Sequence, residues 1–268
     1  MPRDGLAAEG FLEIGAHRLE YRWIDARTLG LPTLVFLHEG LGSVGIWRDF
    51  PDKVAAETGC GALIYSRAGY GKSSAVPLPR PLTYQNVEGY EVLPAILDAL
   101  DLQRVVLIGH SDGATISIIH AGSGKAHRVA GLILEAPHVF NEELSVTSIA
   151  AAKVAYDTGD LRARLQRLHG DNVDVAFRGW NDVWLHPGYR NWNIEASLPG
   201  ITVPSLVIQG KDDEYGSAGQ YESILAKSGG RVDLLVLGDC KHTPHRDRAD
   251  TVLRAMADFI TTLEPSGQ

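Results

Sequence analysis

A chain of 268 residues, 44% hydrophobic and 22% charged, has the makeup of one globular domain and is long enough to bury a full core. Its formal charge of -8 argues against a nucleic-acid backbone or an anionic membrane surface as the main partner, since both select clustered Lys and Arg. A small soluble molecule is the expected partner.

At the N-terminus, "MPRDGLAAEGFLEIG" lacks the unbroken apolar core of a signal peptide, and no stretch approaches the ~18 apolar residues of a membrane span, so a cytoplasmic location is expected. Two alternating segments around Gly15-Ala16 predict an antiparallel hairpin, Phe11 to Ile14 and Arg18 to Trp23. Six short continuous apolar runs follow, at 33–38, 62–66, 105–109, 131–136, 205–210 and 233–238, of the kind buried on both faces of a sheet. Helix-period segments separate most of them, including 86–101 and 218–229, and this alternation predicts an α/β fold with a mostly parallel, helix-flanked sheet. Between the fourth and fifth runs lie about sixty residues, more than one crossover needs. They carry two helical patterns, 145–170 and 173–185, with Phe177, Trp180, Trp184 and Trp192, and are read as a helical cap over 138–200. The core is then split into 1–137 and 201–268, closed by an amphipathic helix from about Arg248, with "EPSGQ" as a frayed tail.

The sharpest motif is Gly109-His110-Ser111-Asp112-Gly113, which fits G-x-S-x-G and stands between the strand run "VVLI" and the helical run "ATISIIH". A turn that tight leaves no room beside the serine, so both flanking positions must be glycine and Ser111 stands exposed above the sheet. The Asp112 N–H would point at a developing oxyanion, and its carboxylate suits the positive end of the helix dipole. The competing view makes Ser111 a simple helix cap. A nucleophilic serine needs a base and an orienting acid from loops after later strands. "GKDD" after the fifth run offers Asp212 and Asp213, and "GDCKHTPH" after the sixth offers His242 and His245. Asp213 is favoured over Asp212 or Glu135 as acid, and His242 over His245 as base.

With this set of motifs the sequence resembles the α/β-hydrolase superfamily over nearly the whole chain outside the cap. The family's oxyanion loop reads His-Gly and a small residue; "LHEGLGS" gives His38, then Glu39 where glycine is usual, then Gly40. "SRAGYGKS" echoes the family's D-x-R-G-x-G-x-S turn, with Ser66 and Ala68 as departures, and Lys241 replaces the usual glycine before the histidine. A serine nucleophile speaks against the epoxide hydrolases and haloalkane dehalogenases, which use aspartate there. The resemblance implies a Ser111, His242, Asp213 triad, an oxyanion hole from the N–H groups of Gly40 and Asp112, and no cofactor.

Ester or thioester hydrolysis of a small apolar or aromatic substrate is the expected reaction. Carbon–carbon hydrolases of the family resemble one another in Asn-Ser-Met at the elbow, and proline-releasing members in His-Gly-Gly-Pro-Gly; neither is present, though both reactions stay as alternatives, as does a non-catalytic ligand-binding role. Glu39, His110, Trp180, Trp184 and His186 are candidate pocket residues, with Arg178 and Asn181 nearby. Trp180 and Trp184, four residues apart, can share a helix face. A Glu39 pairing with Arg67 would turn that carboxylate away from the oxyanion pocket; otherwise it binds a substrate hydroxyl or amine. "GYGKS" fails as a phosphate loop, because its leading position is Ser66. A metal site on Asp239, His242 and His245 is disfavoured without an H-E-x-x-H motif. Cys60 and Cys240, far apart and without CxxC spacing, read as buried free thiols.

Overall fold

Gly15, at φ 56°, makes the turn between β1 (Glu9–Ile14) and β2 (His17–Ile24), which pair antiparallel from Glu9 opposite Arg22 to Ile14 opposite His17. The computed structural model describes residues 6–263, so the expected tail at 264–268 lies outside the described residues. The six apolar runs form β3 (Thr33–Leu37), β4 (Ala62–Tyr65), β5 (Val105–His110), β6 (Val129–Glu135), β7 (Ser205–Gly210) and β8 (Val232–Leu237). The eight strands make one sheet in the order β1-β2-β4-β3-β5-β6-β7-β8, parallel from β4 to β8. β2 joins β4 antiparallel.

The helices are α1 (Phe50–Thr58), α2 (Tyr84–Val87), α3 (Leu93–Ala99), α4 (Asp112–Ala121), α5 (Glu143–Thr158), α6 (Leu161–His169), α7 (Val173–Trp184), α8 (Ala218–Lys227), α9 (Pro244–Asp247) and α10 (Ala249–Thr261). Successive strand residues point to opposite faces, so the central strands β3 to β7 feed two cores. On one face Leu34, Phe36, Val106 and Ile108 pack with Phe50 and Val54 of α1 and Val252 and Met256 of α10. On the other, Val35, Leu37, Val105 and Leu107 meet Ile96 of α3, Ile116 and Ile119 of α4 and Ile224 of α8. All ten residues of α4 are buried, its polar Thr115 and Ser117 by donating to the carbonyls of His138 and Gly113 at 2.7 and 2.8 Å.

Three expectations need correction. β8 is not buried on both faces: it is an edge strand, and Leu234 and Val236 stay exposed while Leu237 is buried. The segment 86–101 is not one regular helix. A wider π-helical turn over Glu88–Val92 joins α2 to α3, just ahead of Pro94, which has no N–H to give the carbonyl four residues back. The first helical pattern of the insert is two helices, because the chain turns extended at Gly159 between α5 and α6.

The chain runs from β3 outward to β4 and then crosses back to β5 on the other side of β3. Parallel sheets open a crevice at such a switch point, beyond the carboxyl ends of the strands. The loop after β3 carries Glu39 and Gly40, and β5 ends at His110 beside Ser111. α5, α6 and α7, all between β6 and β7, contribute to a separate apolar cluster that includes Ile149, Leu165, Phe177, Trp180 and Trp184 and also takes in Tyr84 of α2.

Candidate active site

Ser111 sits between β5 and α4 with φ 52° and ψ -113°, a backbone conformation that L-residues avoid and that a sharp strand-to-helix turn imposes. Both neighbouring glycines are sterically required. A Cβ on Gly109 would lie 2.4 Å from the Gly113 carbonyl oxygen, and one on Gly113 would lie 2.0 Å from the Leu37 oxygen of β3. The turn is further pinned by the Ser111 N–H, which donates to Glu135 O at 2.9 Å.

The loops after β7 and β8 bring the other two expected groups to this serine. His242 Nε2 is 3.0 Å from Ser111 Oγ, and His242 Nδ1 is 2.9 Å from both carboxylate oxygens of Asp213. A carboxylate only accepts, so Nδ1 carries the proton and Nε2 is left to accept from the serine hydroxyl. Asp213 also accepts from Gln209 Nε2 at 2.6 Å and from the N–H groups of Tyr215 and Gly216 at 2.7 and 3.2 Å. Burial alone would raise its carboxyl; hydrogen bonding to His242, that ring's charge and the Tyr215 N–H outweigh burial and hold it at about 2. The rival acids are engaged elsewhere or exposed. Glu135 accepts from His245 Nδ1 at 2.9 Å and from the His245 N–H at 3.0 Å, as a fully buried pair, and Asp212 is exposed.

Asp112 opens α4, where the first N–H groups of a helix have no partner within it. Its carboxylate does more than face the helix dipole. It is buried beneath the turn and accepts from Tyr84 Oη at 2.5 Å and Gln85 Nε2 at 2.9 Å, with Arg67 Nη2 at 3.5 Å. Gly40 lies under the Trp180 indole so closely that a Cβ there would sit 2.3 Å from the ring.

Glu39 departs from expectation. Arg67 donates instead to the carbonyls of His38 and Glu39, at 2.5 and 3.1 Å, and pairs with Asp112. The Glu39 carboxylate turns to His110, whose Nδ1 is 3.7 Å from Oε2. Burial would raise this carboxyl, but His110 and His38 overcome it and hold it at about 2. For His110 burial would lower the ring, yet the Glu39 carboxylate raises it above the ordinary histidine range.

A cavity of about 140 Å³ opens over Ser111 and His242. Trp180, Trp184, Tyr215, Leu41 and Ile149 wall it, and Glu39, Gly40 and His138 complete its lining. Larger hollows exist, such as one of about 470 Å³ bordered by Glu20, Lys72 and Arg167, but they contain neither Ser111 nor His242. Two candidate pocket residues are absent from the lining. His110 lies behind the site, its Nε2–H donating to the His242 carbonyl at 2.6 Å. His186 is exposed, its Nδ1 accepting from the Gly188 N–H at 3.0 Å to cap a short 3-10 turn. Arg178 is also exposed, and Asn181 is spent on tying α7 to the Ile149 carbonyl at 3.0 Å.

His138 and Tyr215 were missed by the sequence reading. His138 is buried, its ring centroid 5.6 Å from that of His242, and burial and the nearby charge of His242 depress its imidazole to about 3, so it is neutral. The signal was available: "EAPH" follows an apolar run just as "GKDD" does, which places His138 at the same end of the sheet.

Residues 34–255 match the sequence pattern of the Alpha/beta hydrolase family. A proline iminopeptidase of Lactobacillus helveticus is 29% identical over 242 residues, 76% of this chain and 82% of its own. A 2-hydroxy-6-oxononadienedioate/2-hydroxy-6-oxononatrienedioate hydrolase of Cupriavidus pinatubonensis is 25% identical over 258 residues, 86% of this chain and 87% of its own. In fold the chain is similar to an esterase from Exiguobacterium antarcticum, with a TM-score of 0.75, 18% identity and coverage of 94% and 98%. With the eight-stranded sheet and the family pattern in agreement, the chain belongs to the alpha/beta hydrolase family.

Proposed function

We propose that the protein is a serine hydrolase that cleaves a carboxylic ester or thioester of a small substrate through an acyl-enzyme. The observation that carries this reading is the unbroken hydrogen-bonded line from Asp213 through His242 to Ser111. His242 Nε2 takes the hydroxyl proton as Ser111 Oγ attacks the substrate carbonyl. The N–H groups of Gly40 and Asp112 hold the negative oxygen that forms. Collapse breaks the acyl–oxygen or acyl–sulfur bond, and the leaving group departs with the proton from His242. Water, deprotonated by the same nitrogen, then releases the acid and restores Ser111. Asp213, kept ionised, fixes the ring tautomer and stabilises the imidazolium without taking the proton.

The helices α5 to α7 act as the cap. Trp180 and Trp184 bring apolar surface over the serine, which favours a compact acyl group. A cytoplasmic setting suits Cys60 and Cys240, which are buried free thiols.

The test is intact mass after treatment with a fluorophosphonate, which phosphonylates an activated serine whatever its natural substrate. Wild type gains one adduct and Ser111→Ala none, with turnover of small esters falling by at least ~10³-fold in the variant. An unreactive wild type, or a variant that labels equally, overturns the reading.

A further inference from the structure

Glu39 lines the cavity over Ser111 and has no part in the proton and acyl transfers described above. One of its oxygens, Oε2, is buried and receives no hydrogen bond from the protein. It is held against Gly42, where an added Cβ would lie 2.3 Å away, and faces His110 at 3.7 Å. His110 sits on the far side from the cavity, with its other nitrogen given to the His242 carbonyl. The Glu39 side chain nevertheless keeps 18% of its surface exposed. No lysine or arginine lines the cavity, and His138, which joins Ser111, His242 and Tyr215 as its remaining polar lining, is neutral.

An ionised carboxylate beside a forming oxyanion opposes the reaction, because the charge that develops in the transition state has the same sign. The conflict disappears when the substrate places a hydrogen-bond donor between the two. Glu39 immediately precedes Gly40, so its carboxylate and the carbonyl oxygen of a bound acyl group are anchored one residue apart. A cavity of about 140 Å³ also confines such a donor close to the carbonyl. Resting on the acyl-transfer reading, we propose that Glu39 selects acyl groups bearing an amino or hydroxyl group on the carbon next to the scissile carbonyl. The indoles of Trp180 and Trp184 suit either occupant, an ammonium by attraction to the ring faces and a hydroxyalkyl group by contact. The donor is used most strongly as the oxyanion forms, so the preference falls on the rate of acylation as well as on binding.

The experiment compares three ethyl esters of nearly equal shape, lactate, alaninate and isobutyrate, by titration of the acid released. Concentrations are set by fluorophosphonate-labelled sites, and each rate is divided by that of alkaline hydrolysis to remove intrinsic reactivity. Wild type should favour lactate or alaninate over isobutyrate by at least ~10-fold in kcat/KM. That preference should vanish in Glu39→Leu. Loss of an alaninate preference already in Glu39→Gln assigns an ammonium, whereas a lactate preference that survives in Glu39→Gln and fails only in Glu39→Leu assigns a hydroxyl. Equal normalised rates in wild type, or a preference that survives Glu39→Leu, overturn the inference and leave the serine hydrolase intact. No labelling and no turnover of any ester overturns the parent reading as well.

Discussion

His110 is held between two tasks, donating to the His242 carbonyl with Nε2 and facing the Glu39 carboxylate with Nδ1. Because Glu39 raises its titration, the ring gains stability from this setting below the ordinary histidine midpoint and loses it as pH rises through its own, higher one. Histidine nitrogen chemical shifts followed against pH should show one ring titrating above the usual range, and Glu39→Gln should move that midpoint down. A midpoint unaffected by Glu39→Gln would mean that the pair is not coupled. At this scale Ser111, Asp213 and His242 were legible because strand, turn and chain order confine them to one end of the sheet. Glu39 and His186 were not legible in the same way, because the direction of a side chain on a loop depends on partners supplied from elsewhere in the fold. Arg67 is taken up by two carbonyls and Asp112, which no spacing in the sequence announces.

The elbow is an element built on two close approaches, and the glycines can be ranked by what a methyl group would meet. Gly113→Ala would drive Cβ to 2.0 Å from a β3 carbonyl, forcing α4 off the sheet; the expected cost is about 3 kcal/mol or more, or failure to fold. Gly238→Ala, after β8, meets nothing within 4 Å and should leave stability within about 1 kcal/mol of wild type. Urea denaturation of the pair checks the ranking, and similar midpoints would refute it. Strands were legible as elements because runs buried on both faces are apolar throughout. The exposure of Leu234 and Val236 was not, since an edge strand can carry the same apolar letters as a central one. The π turn at Glu88–Val92 and the break at Gly159 are local departures inside helical patterns, and periodicity alone averages over them.

For the whole molecule, the buried carboxyls of Asp213 and Glu39 link stability to acid. Each is held at about 2, against about 4 for an unfolded carboxylate, so each contributes about 2–3 kcal/mol that is fully present above pH ~4 and lost as pH falls through ~2. The urea midpoint should therefore drop steeply between about pH 4 and 2, and less steeply in Asp213→Asn. Parallel slopes for the two proteins would contradict this. The strand–helix alternation made the mostly parallel sheet legible, but the order in which the strands lie follows from crossover handedness and packing rather than from any local pattern. One contact limits how freely such a molecule can be recombined. Trp180 of α7 rests on the bare backbone of Gly40, so the helical insert and the loop after β3 have to be inherited together. Grafting these helices onto a relative with any side chain at the position of Gly40 would bring that side chain into the indole, and a transplanted insert would need the glycine to travel with it.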